Sequence, residues 1–224
     1  MKRPTLIANE LPPTLAPSLA TKAPVLDRVH MPIRKPLRDG PSLDHCLRHR
    51  RSSRNFLPDP LTLDETGQLL WAALGCTGLG GLRTAPSAGA IYPVRAYLLA
   101  ASIQGLAPGF YSYDVDAETL QLQRKGDKRK SLARAAAGQS CVEECACALL
   151  LTGWYKRAVR EFGDAAPRLA AIEAGHIGQN FCLQATAMGL GAIGLGRLDT
   201  EAVRLLLRLP DDEEPLYLLL AGRI

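Results

Sequence analysis

Half of the sixteen prolines in this 224-residue chain fall in its first 41 positions: Pro4, Pro12, Pro13, Pro17, Pro24, Pro32, Pro36 and Pro41. Proline lacks an amide proton and clashes with the preceding helical turn, so a regular helix or a central strand is excluded there. Residues 1–40 are expected to form an extended basic arm, either free in solvent or laid across a neighbouring subunit. Residues 41–224 are long enough for one hydrophobic core, and the 47% apolar content suits a single compact domain.

Order is expected from Ser42, a good N-cap ahead of Leu43, Cys46 and Leu47 at helical spacing. Thr62-Leu63-Asp64-Glu65 is a capping box, and Leu63, Leu69, Leu70, Ala73 and Leu74 continue one apolar face to a stop at Gly75. A glycine-rich connector over 75–81 leads to a strand over 94–101. Strands near 110–115 and 120–123 then form a hairpin turning at Asp116-Ala117-Glu118. A helix over 128–137, a buried strand over 145–152 and a long helix over 165–188 come next, with Pro167 tolerated in its first turn. The small residues Ala170, Ala171, Ala174, Gly175 and Gly178 permit another helix to approach the long one closely. A strand over 191–196, a helix over 201–209 and a strand over 215–221 complete an α+β order.

Several functions are not supported. No apolar run approaches the roughly 20 residues that cross a bilayer, and Asn9, Glu10, Pro12 and Pro13 interrupt any signal-like start. The six cysteines lack C-x-x-C spacing, which points to reduced thiols in the cytoplasm and to no metal site. Residues 1–54 carry 11 basic and 4 acidic side chains, yet no aromatics interleave with them, so nucleic acid is not the expected partner. Ser87 is outside any G-x-S-x-G, and the four histidines show no H-E-x-x-H. Gly189-Leu190-Gly191-Ala192-Ile193-Gly194 spells G-x-G-x-x-G, but a helix leads into it and a strand leaves it, the reverse of a dinucleotide crossover. These glycines read as a helix stop and a strand that passes close to another backbone or to a flat ligand.

Arg50-Arg51-Ser52-Ser53-Arg54-Asn55-Phe56 offers guanidinium forks and hydroxyls, the groups that bind phosphate. This segment is followed by Pro58-Asp59-Pro60-Leu61-Thr62-Leu63, by Leu69-Leu70-Trp71-Ala72-Ala73 and by Arg83-Thr84-Ala85-Pro86-Ser87-Ala88-Gly89-Ala90-Ile91-Tyr92-Pro93. Further on stand Ile172-Glu173-Ala174-Gly175-His176-Ile177-Gly178-Gln179-Asn180 and Glu214-Pro215-Leu216-Tyr217. In this order, from about Ser42 to the end, the motifs resemble the SagB-type dehydrogenase branch of the nitroreductase family.

The resemblance implies an α+β fold, an antiparallel or mixed sheet sandwiched by helices, in a homodimer that holds FMN between its subunits. It implies that Arg50, Arg51 and Ser52 lie near the phosphate or ribityl chain, with Arg54 near the pyrimidine side of the ring. Pro86, Ser87 and Ala88 would come from the opposite subunit, Gln139 would be a polar ring contact, and Arg223 a phosphate ligand. Backbone of Gly194, Leu195 and Gly196 would approach the flavin N5 edge, and the long helix would be the dimer core.

The implied activity is FMN-dependent hydride transfer from NADH, NADPH or an organic donor to a small organic acceptor. Azoline-oxidising members carry a Lys-Tyr pair where this chain has Glu161 and Phe162, so the proton carrier of thiazoline or oxazoline oxidation on a peptide is missing. That dehydrogenase activity is one alternative, and a catalytically inactive scaffold of the same fold is another. Glu173 and His176, three apart on one side of the long helix, are placed to serve a site, but the commoner outcome is a histidine that is buried or at a subunit interface with a hydrogen-bonded partner.

Overall fold

The computed structural model describes residues 28–32, 40–78 and 80–224. The expected arm over 1–40 therefore lies outside the described residues, apart from Gly40 and a short segment at 28–32. That segment contains β1 (Arg28–His30), which pairs with β4 (Thr119–Lys125) at one end of the sheet. An edge strand accommodates the nearby prolines, because only one side of its backbone has to be paired. Met31 extends the contact by donating its backbone N–H to Glu118 at 2.9 Å. The carbonyl of Pro32 presses on Gly67, where a Cβ would fall 2.2 Å from its oxygen.

The other elements follow the expected order. They are α1 (Leu43–His49), α2 (Leu63–Leu74), β2 (Val94–Ala100), β3 (Gly109–Asp114), β4, α3 (Arg129–Ala135), α4 (Cys141–Glu144) and β5 (Cys147–Trp154). After these come α5 (Lys156–Phe162), α6 (Ala166–Ala187), β6 (Gly191–Leu195), α7 (Thr200–Leu207) and β7 (Glu213–Gly222). Ser42 caps α1 by accepting from the N–H of His45 at 3.2 Å. Thr62 and Glu65 form the reciprocal box at the start of α2. Two short helices were not expected: α4 lies just ahead of the stretch read as strand, in which β5 begins at Cys147, and α5 precedes the long helix. Both are too short and too polar to show helical periodicity.

The seven strands among the described residues form one sheet in the order β1-β4-β3-β2-β5-β7-β6, with every neighbouring pair antiparallel. Consecutive leucines on its central strands alternate between the two faces, as strand geometry requires. Leu98, Leu149 and Leu219 join Leu69 and Leu70 of α2 and Ile177 and Phe181 of α6. Leu99, Leu150, Leu218 and Leu220 join Leu132 of α3, Val142 of α4 and Val203 and Leu207 of α7. The sheet is thus covered on both sides, and β5 is buried from Cys147 to Gly153. Among the described residues no helix is long and apolar enough to cross a membrane, and no group of three or more potential ligands is arranged to hold a metal ion.

A fully buried carboxylate joins three of these strands. Glu213 of β7, its side chain sealed from solvent, accepts from Arg95 of β2, from the Tyr97 hydroxyl at 2.8 Å and from the Thr152 hydroxyl of β5 at 3.0 Å. Arg95 also lies 4.0 Å above the Trp154 ring. Burial and the adjacent Glu213 charge push the Tyr97 phenol well above its ordinary range.

Candidate functional site

The chain leaves α1 at Arg50 in an extended conformation and runs beside the outer edge of β6. Ser52 forms a parallel bridge with Ala192, and the Ser53 N–H donates to the Ala192 carbonyl at 3.0 Å. Gly191 makes this approach possible, since a Cβ there would fall 2.9 Å from Ser53 Cβ and 2.2 Å from Ile224 Cγ2. The segment continues to Leu57, whose N–H donates to the Arg223 carbonyl at 2.9 Å. This is the close backbone approach expected of the glycine-rich strand.

Backbone polar groups two residues apart in a strand point to the same side. Ala192 turns its carbonyl outward to Ser53, so Gly194 presents its N–H and C=O on that same edge, beyond the point where the Ser52–Ser53 segment covers it. Gly196 is exposed, with nothing within 4 Å of where a Cβ would stand. The Leu195 side chain is buried among the α3, α4 and α7 residues, which leaves its backbone for the approach expected of residues 194–196.

Among the described residues, neither Arg50, Arg51 nor Arg54 pairs with a carboxylate. Arg51 instead donates to the carbonyls of Arg48 and Arg50, both at 2.9 Å. The Arg50 guanidinium acts electrostatically on Cys182 of α6 and Tyr217 of β7, and Arg54 acts on Cys141 of α4. Gln139 sits in the turn just ahead of Cys141, with its carbonyl accepting from the Val142 N–H at 3.2 Å. The loop after β6 reaches the same region through the Asp199 N–H, which donates to the Ala135 carbonyl at 2.7 Å. Arg50, Arg54, Gln139 and the end of β6 therefore border one end of the sheet.

Arg223 has a different engagement. Its two terminal nitrogens each donate to a carboxylate oxygen of Glu65 at 2.8 Å. The partner guanidinium and the Thr62 N–H together hold the Glu65 carboxyl below its usual range, against the opposing effect of burial. Arg223 thereby ties the capping box of α2 to the end of β7, and its charge is neutralised within the chain.

Pro86, Ser87 and Ala88 lie elsewhere, on a turn against the N-terminal half of α6. The Ser87 hydroxyl donates to Glu173 and accepts from the Tyr92 N–H at 3.0 Å. Glu173 is 3% exposed, and burial raises its pKa even though Ser87 and the Val94 N–H both stabilise the carboxylate. Gly89, Ala90 and Tyr92 all have left-handed backbone, with φ of 58°, 52° and 51°. Left-handed geometry is costly for alanine and tyrosine, and the surrounding contacts hold it in place. Asn180 of α6 donates to the Thr84 carbonyl at 3.1 Å, and Arg83 lies 4.6 Å over the Tyr92 ring. Phe162 packs 3.1 Å from where a Gly89 Cβ would stand, while Glu161 is exposed.

One chain does not bring the two groups together. Glu173, which fixes the Ser87 turn, and Cys182, which is next to Arg50, are nine residues apart on α6, on the order of 13 Å along its axis. The small stripe of α6 is also divided. Ala170, Ala174 and Gly178 are buried within the chain, whereas Ala171, Ile172, Gly175 and His176 face outward. The Glu173 carboxylate turns inward to Ser87, whereas His176 is exposed in the single chain rather than buried within it. Beyond this outward face, a cavity of about 370 Å³ opens between α1, α2 and α6, lined by Leu43, Cys46, Trp71, Asn180 and Leu183.

Glu173 and Tyr217 stand in motifs quoted above, but the clamp of Glu173 on Ser87 and the slot that holds the Tyr217 ring were not apparent from local sequence. The spaced glycines Gly178 and Gly194 were the available signal for Tyr217, since both leave room for its ring.

Comparison with known proteins places this arrangement. Residues 47–223 match the profile described as Nitroreductase family. A protein of Methanocaldococcus jannaschii named "Putative nitroreductase MJ1384" is 34% identical over 181 residues, which cover 81% of this chain and 90% of that protein. A crystal structure named as a putative nitroreductase from Ralstonia eutropha JMP134 is 30% identical with a TM-score of 0.76, covering 88% of this chain and 89% of that one. An NADPH:FMN oxidoreductase from Vibrio harveyi shares the fold at 23% identity and a TM-score of 0.58, covering 81% of this chain and 68% of that one.

Proposed function

This chain belongs to the nitroreductase family, and from that premise we propose that it is an FMN-dependent oxidoreductase acting as a homodimer. Its donor would be NADH, NADPH or an organic molecule, and its acceptor a small organic compound. The observation that carries the reading is the docking of residues 50–54 along the open edge of β6, with Arg50, Arg51 and Arg54 free of carboxylate partners among the described residues. Unneutralised guanidiniums beside an open strand edge suit an anionic, flat ligand.

The residues fit such a group. Arg50, Arg51 and Ser52 would hold the phosphate and ribityl chain, while Arg54 and Gln139 would approach the ring. The backbone of Gly194 and Gly196 would meet its N5 edge. Arg223 is committed to Glu65, so its part would be to anchor the 52–57 segment from below. Bound FMN supplies hydride exchange at N5, and the protein supplies position and charge. A cation at Arg54 favours negative charge on the ring more than a neutral ring, which stabilises the reduced cofactor.

The separation of the Ser87 turn from Arg50 along α6 supports a site completed by two copies, each lending its Pro86–Ala88 turn to the other. The outward face of α6, with Ala171 and Gly175, suits close helix contact between them. The SagB-type branch rests on the motif order alone, and neither the exposed Glu161 nor the packed Phe162 adds a reason to prefer azoline oxidation.

The test is direct. Purified protein is expected to be yellow or to bind added FMN, to run as a dimer, and to lose its flavin absorbance on addition of NADH or NADPH under anaerobic conditions. A colourless protein that leaves FMN fluorescence unchanged at micromolar concentrations would overturn the reading and favour the inactive scaffold.

A further inference from the structure

Tyr217 occupies a slot that two glycines leave open. A Cβ at Gly178 of α6 would fall 2.6 Å from Tyr217 Cε1, and one at Gly194 of β6 would fall 2.1 Å from the Tyr217 hydroxyl. The ring therefore lies between the long helix and the edge strand, with its oxygen directed at Gly194. Core packing accounts for the ring, but not for its polar end. The hydroxyls of Tyr97, Tyr111 and Tyr155 each donate to an oxygen of the chain, and that of Tyr92 accepts from the Arg83 N–H. The hydroxyls of Tyr113 and of half-buried Tyr217 have no hydrogen-bond partner among the described residues; Tyr113 lies by Glu118, Asp114 and Arg83, and of the two only Tyr217 rests against β6.

Its surroundings indicate what is missing. The Arg50 guanidinium is close enough to act on both Tyr217 and Cys182, and it too has no carboxylate partner among the described residues. Gly194, against which the hydroxyl rests, turns its backbone polar groups to the open edge of β6. A phenol donor, an unpaired cation and an open strand edge thus meet at one place. A donor with free capacity, a cation and open backbone groups at one edge suit a ligand that supplies acceptors.

We propose that Tyr217 is a further cofactor ligand, its hydroxyl donating a hydrogen bond to the flavin mononucleotide beside Arg50. This rests on the FMN reading above. The bond adds affinity and fixes the position of the cofactor over Gly194, and it requires no proton to leave the phenol.

The experiment compares unmodified protein with Tyr217→Phe, which keeps the ring and removes only the donor. FMN and riboflavin are each titrated by fluorescence quenching. The variant is expected to keep its melting temperature and to bind FMN roughly 5- to 20-fold more weakly, the effect of one lost hydrogen bond to a polar or charged acceptor. A matching loss with riboflavin places the bond on the ring or ribityl chain, and a loss confined to FMN places it on the phosphate. An unchanged dissociation constant overturns the proposal while FMN binding by the unmodified protein upholds the function. Failure of the unmodified protein to bind FMN overturns both. Should Tyr217→Phe not fold, 3-fluorotyrosine installed at position 217 alone gives a second readout: its fluorine resonance is expected to shift as FMN saturates the protein, and an unmoved resonance overturns the proposal.

Discussion

The Ser87 hydroxyl donates its one proton to the buried carboxylate of Glu173 and accepts from the backbone N–H of Tyr92. Its donor capacity is then used within the chain, so any hydrogen bond that this turn gives a ligand has to come from backbone N–H groups. Ser87→Ala should consequently weaken FMN binding by loosening the turn and should leave the cofactor spectrum unchanged. A changed absorption maximum in the variant would show that the hydroxyl itself touches the ring.

Glu173 predicts a pH dependence of stability. Burial holds its folded-state pKa above the unfolded value, so the folded protein binds a proton more tightly than the unfolded one. Its contribution is fully present below the unfolded pKa, near 4.5, and is lost as pH rises through the raised folded value. Glu173→Gln removes the titration. Melting temperatures measured from pH 4 to 8 should show the unmodified protein losing stability relative to the variant as pH rises through that window, and parallel curves would refute the assignment.

Gly191→Ala tests the docking of the arginine segment. The new methyl would meet Ser53 Cβ at 2.9 Å and Ile224 Cγ2 at 2.2 Å. Ile224 is exposed and can move, whereas Ser53 is held by its bond to Ala192. The expected stability loss is about 1–3 kcal/mol, typical of overpacking, with FMN affinity falling at least tenfold. Equal FMN affinity would separate cofactor binding from the position of residues 50–54.

Arg54→Gln should make the bound flavin harder to reduce. Losing about 1 kcal/mol of preference for the anionic ring corresponds to roughly 20 mV in a two-electron couple. Potentiometric titration of the two proteins would read this, and an unchanged or raised potential would place Arg54 away from the ring.

Glu213 carries a prediction about the fold alone. Glu213→Gln leaves Arg95 facing a neutral amide inside the sheet and should cost about 3 kcal/mol. Thermal unfolding should register the loss, while FMN affinity at 25 °C stays within twofold.

Much of this was legible along the chain because it is written in local chemistry. The capping box at Thr62 and Glu65, the N-cap at Ser42 and the leucine-rich strands announce themselves through neighbouring residues. The same holds for residues 50–54, whose guanidiniums stand together in sequence. The Ser87–Glu173 and Arg223–Glu65 bonds were not legible, since their partners lie 86 and 158 positions apart and only tertiary packing introduces them. The three-residue β1 was hidden by the prolines around it, which mark an edge as readily as a loop.

Helix α6 works as a ruler. It carries the clamp for the Ser87 turn at Glu173 and the wall of the arginine cleft at Gly178 and Cys182, so the distance between them is set by a rigid count of residues. One residue inserted between Glu173 and Gly178 would leave every side chain chemically intact. It would nonetheless rotate the two ends about 100° out of phase and lengthen their spacing by about 1.5 Å. In the proposed dimer, where each chain would complete the other's cleft, this fixed gauge would matter as much as the identity of the arginines.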